Sequence, residues 1–170
     1  MIKMIKNPTT KRLIIITGTP GVGKSTLANA LSSQLKIPRL DLSRYYHQLS
    51  TTYDRKKRCY IIDRKKLAVL LREKLKASRR GLIVDSHTAH LLPRTMVKVG
   101  LVLTCSDLKI LRRRLQKRKY SQKKIQENLQ AEIFQICLEE ARERGHTILA
   151  FDTSSGIPYQ KIFRAVRKSL

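Results

Sequence analysis

Apolar positions along this chain alternate between two patterns. Residues 12–17, RLIIIT, form a continuous β-branched run that stops at a glycine-rich turn, the mark of a strand buried on both faces. In residues 24–36, KSTLANALSSQLK, Leu27, Leu31 and Leu35 recur at helical spacing. A short strand near 37–40 follows, and Asp41 is placed to cap a short helix to about Leu49. Residues 50–62, STTYDRKKRCYII, hold no sustained period and read as a loop. Asp63 is a suitable N-cap for a helix to about Ser78. GLIVD (81–85) and VKVGLVLT (97–104) are two further buried strands. Ser106 or Asp107 then caps a helix with Leu108, Leu111 and Leu115 on one side. After a basic turn, Ile125, Leu129, Ile133, Ile136 and Cys137 make the stripe of one long helix over about 122–144, ended by Gly145. HTILAF (146–151) is the last strand, and PYQKIFRAVRKSL a closing amphipathic helix.

Strands alternating with helices predict an α/β three-layer sandwich around a parallel sheet. At 170 residues and 41% apolar the chain is expected to form one domain over 1–170, with no repeat or linker. Cys59, Cys105 and Cys137 are odd in number and far apart, which favours a reducing compartment over disulfides or a zinc cluster. No run approaches the ~20 apolar residues of a membrane span, and MIKMIKNPTT lacks the apolar core of a secretory signal. The expectation is a cytoplasmic protein, nuclear if the host is a eukaryote.

Charge changes the picture. Lys and Arg number 37 against 12 Asp and Glu, a formal +25, so the surface attracts polyanions such as nucleotides, RNA or an anionic membrane; the alternatives are an adaptation of the host's proteome or an acidic protein partner. Aromatics are only 5%, which argues against binding by extensive base stacking.

The chemistry concentrates in GTPGVGKS, Gly18 to Ser25, which fits the phosphate-binding pattern G-x-x-x-x-G-K-[ST] with a buried strand before it and a helix after it. Backbone N–H groups there turn inward at the positive end of the helix; Lys24 reaches the β- and γ-phosphates, and the Ser25 hydroxyl sits on Mg²⁺. Asp85 ends a strand expected beside the first, where a carboxylate holds Mg²⁺ through water; the alternative is a cap for the next turn. Arg114 and Arg118, i and i+4 on one helix, are candidates to meet the charge of a transferring phosphoryl group. The competing reading of KILRRRLQKRKY is a solvated or RNA-facing helix. His87 and His90 have no cysteine or carboxylate partner nearby in sequence, so a transition-metal site is disfavoured.

In order along the chain, GTPGVGKSTL, DLSR, IVDSH and RLQKRKYSQKKIQENLQAEIFQICLEEA resemble the adenylate kinase isoenzyme 6 family, over about residues 12–150. The resemblance implies a nucleoside monophosphate kinase fold with a five-stranded parallel core. It also implies an NMP-binding segment (about 39–62), a short lid (about 117–127) and a monomer. It implies ATP·Mg²⁺ and AMP as substrates with broad NMP tolerance, ATP hydrolysis, and a part in small-subunit rRNA maturation with a ribosomal protein as partner. Gly21, Gly23, Lys24, Ser25 and Thr26 match the ATP phosphate loop, and Asp85 the metal-side carboxylate. Arg44 matches the arginine that holds the monophosphate. Arg118 matches the lid arginine, Arg114 more weakly. His87 matches a histidine linked to ATPase function, and Asp152 to Ser155 lie where adenine is contacted. His90 is left as a surface or helix-start residue. Lys119 stands where the family tends to have glycine. Three functions compete: an NMP kinase, a ribosome-assembly ATPase whose kinase turnover is incidental, and a polynucleotide or metabolite kinase, which the lid match disfavours.

Overall fold

The computed structural model describes residues 12–54 and 59–170. The wholly apolar first run becomes β1 (Leu13–Thr17), followed by α1 (Lys24–Leu35) and β2 (Arg39–Asp41). A 3-10 turn over Leu42–Tyr45 leads into α2 (Tyr46–Leu49), β3 (Ser50–Asp54), β4 (Cys59–Ile62), α3 (Arg64–Lys76) and β5 (Leu82–Asp85). A second 3-10 turn (Ala89–Leu91) precedes β6 (Val97–Thr104), α4 (Leu108–Lys117), α5 (Gln122–Ile133), α6 (Ile136–Glu143), β7 (Ile148–Asp152) and α7 (Tyr159–Ser169).

Five strands form one sheet in the order β2-β5-β1-β6-β7, every neighbouring pair parallel. Side chains alternate across β1, so its two faces feed two cores. Ile14 and Ile16 pack with Leu27 and Leu31 of α1, Leu111 and Leu115 of α4, and Ile162 and Val166 of α7. Leu13 and Ile15 pack with Leu49 and with Leu71 of α3, while Val102 of β6 meets Leu138 and Ala141 of α6. A parallel sheet covered on both faces has no polar side to show, which is why its strands read as unbroken apolar runs. Three acidic caps act as anticipated: Asp41 accepts from Ser43 N, Asp63 from Lys65 N and Lys66 N, and Asp107 (rather than Ser106) from Lys109 N and Ile110 N.

Two expectations are corrected. Within the segment 50–62 expected as a loop, residues 50–54 and 59–62 are strands paired antiparallel, with Tyr53 opposite Tyr60 and Ser50 opposite Ile62. Thr51, Thr52, Tyr53, Tyr60 and Ile61 are all exposed, so no apolar alternation marks the ribbon; backbone pairing holds it, with the Tyr53 and Tyr60 rings edge-on at 4.9 Å and Thr51 Oγ1 donating to Ile61 O at 3.3 Å. Residues 55–58, inside the expected NMP segment, and residues 1–11 lie outside the described residues. The long helix over 122–144 is two helices, because the backbone turns left-handed at Gln135 (φ 48°). The stripe is broken with it: Ile125 and Leu129 are buried, but Ile133 and Ile136 are 56% and 41% exposed, and Leu138 and Ala141 take over the contact with the sheet.

Candidate active site

The sheet runs β2-β5 on one side of β1 and β6-β7 on the other, so the C-terminal ends of β1 and β5 flank the point where connections diverge, the place such sheets leave a ligand crevice. There the chain leaves β1 through Gly18, whose φ of 136° and tight fit against the Leu103 carbonyl leave no room for a Cβ. Gly23 (φ 103°) turns the chain into α1, whose first residue is Lys24. Lys24 Nζ donates to Gly18 O at 2.7 Å and Thr19 O at 2.9 Å, folded back into the loop it serves. Burial first, and Arg118 with it, push its pKa down to about 8, against the opposing pull of Cys137, Asp85 and Glu132.

Parallel pairing sets Ile16 opposite Asp85, bringing that carboxylate level with the end of β1. Ser25 Oγ donates to Asp85 Oδ2 at 3.0 Å. A hydroxyl and a carboxylate are hard oxygen donors, the kind Mg²⁺ takes when substrate phosphates supply the rest of its shell, so these residues fit the metal. Among the described residues no group of three or more His, Cys, Asp or Glu side chains could hold a metal without such help.

The sequence reading missed Arg39. Its Nε donates to Asp85 Oδ1 at 2.7 Å and its Nη2 to Asp85 Oδ2 at 3.0 Å, while Nη1 reaches Asn29 Oδ1 at 2.7 Å. The hydrogen bond to Asp85 raises the Arg39 pKa further above its ordinary value. Nothing in the sequence signals this pairing beyond an arginine inside a short predicted strand; the register of Arg39 with Ile83 and Asp41 with Asp85 creates it. Arg44, the expected monophosphate arginine, is 78% exposed at its side chain and pairs with Asp41 at 3.5 Å. It does not line the cleft, although Asp41 and Ser43 beside it do.

His87 lies in the turn after β5, its ring edge-on to Tyr46 at 6.0 Å. Desolvation by the cleft wall, then Lys24, push its pKa down to about 4. The residue as a whole is exposed, yet the shift is downward, which leaves a neutral ring at pH 7. His90 is not a surface residue: it is 3% exposed, with Nδ1 2.9 Å from Thr17 Oγ1 and Nε2 2.7 Å from Glu140 Oε2. Burial outweighs Glu140 and lowers its pKa, so the neutral ring carries its proton toward Glu140 and accepts from Thr17.

Arg118, the cap of α4, lines the cleft together with Tyr120. Arg114 turns away, donating to Thr153 O at 2.7 Å and Thr153 Oγ1 at 3.3 Å. Thr153 Oγ1 in turn donates to Val22 O and the Thr153 N–H to Thr104 O, each at 2.9 Å, tying the loop after β7 to the phosphate loop. Asp152 accepts from Ser106 N at 2.6 Å and Ser154 N at 2.9 Å, and Ser154 Oγ accepts from Asp107 N. Of the expected site residues, Gly21, Gly23, Lys24, Ser25, Asp85, His87 and Arg118 share one cavity of about 180 Å³. Thr26 is exposed in the first turn of α1 and, like Arg44, lies outside that lining.

A family model described as an AAA domain matches residues 14–135. An adenylate kinase isoenzyme 6 homologue from Caenorhabditis elegans is 38% identical over 140 residues, 80% of this chain and 76% of that protein. One from Schizosaccharomyces pombe is 41% identical over 133 residues, 76% of this chain and 74% of that protein. Among solved structures, a shikimate kinase from Acinetobacter baumannii superposes with a TM-score of 0.57 at 14% identity, covering 94% of this chain and 95% of its own. At that identity the likeness concerns the fold alone.

Proposed function

The chain belongs to the adenylate kinase isoenzyme 6 family and is a kinase of the nucleotide-kinase type; from that premise we propose that it transfers the γ-phosphoryl group of ATP to AMP, with broad tolerance among nucleoside monophosphates, and also hydrolyses ATP. What carries the reading is the convergence of Lys24, Ser25, Asp85, His87 and Arg118 on one cleft at the end of β1 and β5. The backbone of Gly21 and Gly23 and the start of α1 receive the phosphates. Lys24 leaves its two carbonyl acceptors for the β- and γ-phosphates, and Arg118 approaches from the lid side. Arg44 swings from Asp41 to hold the acceptor's phosphate in line. An oxygen of that phosphate attacks the γ-phosphorus, the bond to the β–γ bridging oxygen breaks, and the donor and the acceptor both leave as nucleoside diphosphates, two ADP when the acceptor is AMP. No general base is needed, because the attacking group is already an anion. Ser25 and, through water, Asp85 would hold Mg²⁺, which would neutralise charge on the phosphates.

In hydrolysis a water replaces the acceptor, and neutral His87 accepts a hydrogen bond from it and orients it. Asp152 to Ser155 border the adenine. The charge of +25 supports docking on a pre-ribosomal particle with a small-subunit ribosomal protein and rRNA, in the cytoplasm or a eukaryotic nucleus.

The test is ATP turnover with and without AMP. Arg44→Ala is expected to lower AMP phosphorylation by about 10²-fold, the usual cost of a misplaced reactant, with ATP hydrolysis little changed. His87→Ala is expected to do the reverse, lowering hydrolysis about tenfold or more while sparing transfer. Equal losses of both activities in Arg44→Ala would show that the acceptor site lies elsewhere.

A further inference from the structure

Five side chains form an unbroken line of alternating charge and polarity from the rim of the cleft to the phosphate loop. Arg44 Nε lies 3.5 Å from Asp41 Oδ2, and Arg39 Nη2 lies 3.4 Å from that same oxygen. Arg39 then grips both oxygens of Asp85 at 2.7 and 3.0 Å, and Ser25 Oγ adds its hydrogen bond to Asp85 Oδ2. Asp85 is 3% exposed at its side chain and Arg39 16%, so the central pair is shielded from solvent and its charges act on each other strongly. Asp41 is thus shared between two arginines, and Arg39 between two carboxylates.

We propose that Arg39 is a positioning residue that holds the carboxylate of Asp85 and, through its shared partner Asp41, ties that hold to whether Arg44 is engaged by an acceptor phosphate. The proposal rests on the reading of Arg44 as the acceptor arginine. A guanidinium on both oxygens of Asp85 offsets most of the negative charge that a divalent cation seeks. When a phosphate draws Arg44 off, Asp41 loses one of its two cationic partners and pulls harder on Nη2 of Arg39. The fork loosens from Asp85 Oδ2, the oxygen that Ser25 shares, and the cation side of the cleft becomes more negative. Acceptor binding and cation binding therefore favour each other, and by linkage the effect is reciprocal.

The experiment measures Mn²⁺ binding, by electron paramagnetic resonance of the free ion, to the full chain saturated with adenylyl imidodiphosphate, with and without AMP. In the wild type, AMP is expected to tighten Mn²⁺ binding about fivefold or more, the lower range of such couplings. Arg39→Gln is expected to bind Mn²⁺ that tightly without AMP and to lose the response. Asp41→Asn, at the surface end, is expected to lose the response while keeping the weaker affinity. Arg39→Lys, which restores the charge but not the fork, should fall between wild type and Arg39→Gln.

An Arg39→Gln protein with wild-type Mn²⁺ affinity and an intact AMP response overturns the proposal, as does a wild type that binds AMP without any change in Mn²⁺ affinity. Direct AMP binding to Arg44→Ala separates the underlying reading: undiminished binding there means the acceptor arginine is misassigned. The arm without AMP still decides whether Arg39 restrains Asp85, since unchanged Mn²⁺ affinity in Arg39→Gln denies it. Thermal melts accompany each variant; if Arg39→Gln does not fold, Asp41→Asn carries the test, and an AMP response retained in it refutes the coupling.

Discussion

Lys24 enters the cleft with a pKa of about 8, because the loop that presents it also buries it. A phosphate returns the charge that burial removes, so the bound form holds its proton to higher pH. The sign follows: between about pH 8 and the ordinary lysine value of 10.5, nucleotide binding takes up a proton, and affinity falls as pH rises through that window. Calorimetry in two buffers of different ionisation enthalpy at pH 8.5–9 is expected to show this uptake in the wild type and none in Lys24→Met. Uptake that survives the substitution would assign the proton to another group. The phosphate-loop motif singled out Lys24 and Ser25, and the end of a buried strand singled out Asp85; residue type and spacing were enough to pick candidates that share one cleft. Arg39 and His90 were illegible for a shared reason: each acquires its role from a partner 46 or 50 residues away, Asp85 for one and Glu140 for the other.

Helix ends show how far local signals carry. After α6, Gly145 takes φ 69°, its N–H bonds Arg142 O at 2.8 Å, and His146 N bonds Ala141 O at 3.3 Å. After α4 the same closing motif recurs with Lys119 at φ 57°: its N–H bonds Gln116 O at 2.8 Å, and Tyr120 N bonds Leu115 O at 3.3 Å. The first stop was readable at a single residue because glycine adopts that conformation freely; the second was readable only as a basic turn, with no glycine to mark the residue that closes the helix. A side chain in this region costs on the order of 1 kcal/mol or more. Lys119→Gly and Gln135→Gly are each expected to raise stability by roughly 0.5–1 kcal/mol, read as an increase in the thermal midpoint. A decrease at either position would mean that the added freedom of the unfolded chain outweighs the relieved strain. The pairing of 50–54 with 59–62 escaped notice for the opposite reason: apart from half-buried Ile62 its described side chains are largely exposed, so no alternating face imposes a pattern.

At the scale of the whole molecule, 37 basic residues against 12 acidic ones leave far more cation than the cleft uses. Helix α4 shows it: Lys109, Arg112, Arg113, Arg114 and Lys117 with no acid among residues 108–117. If this surface docks on rRNA, affinity for a small-subunit rRNA fragment is expected to fall about 10³-fold or more between roughly 50 and 200 mM salt, measured by fluorescence anisotropy. A flat salt response would count against an RNA partner. What the sequence determined by itself was the alternation of buried strands with helices, and with it the parallel sandwich, the phosphate loop and the helix caps. Each of these depends on neighbours within one element, where a period of two or 3.6 and a few side-chain types decide the outcome. Tertiary structure alone decided the bend at Gln135 and the hairpin's pairing. It also decided the burial of His90 and the grip of Arg39 on the GLIVD strand's last carboxylate. These follow from the strand order and register that set β2 beside β5, a relation between distant segments that local pattern does not encode.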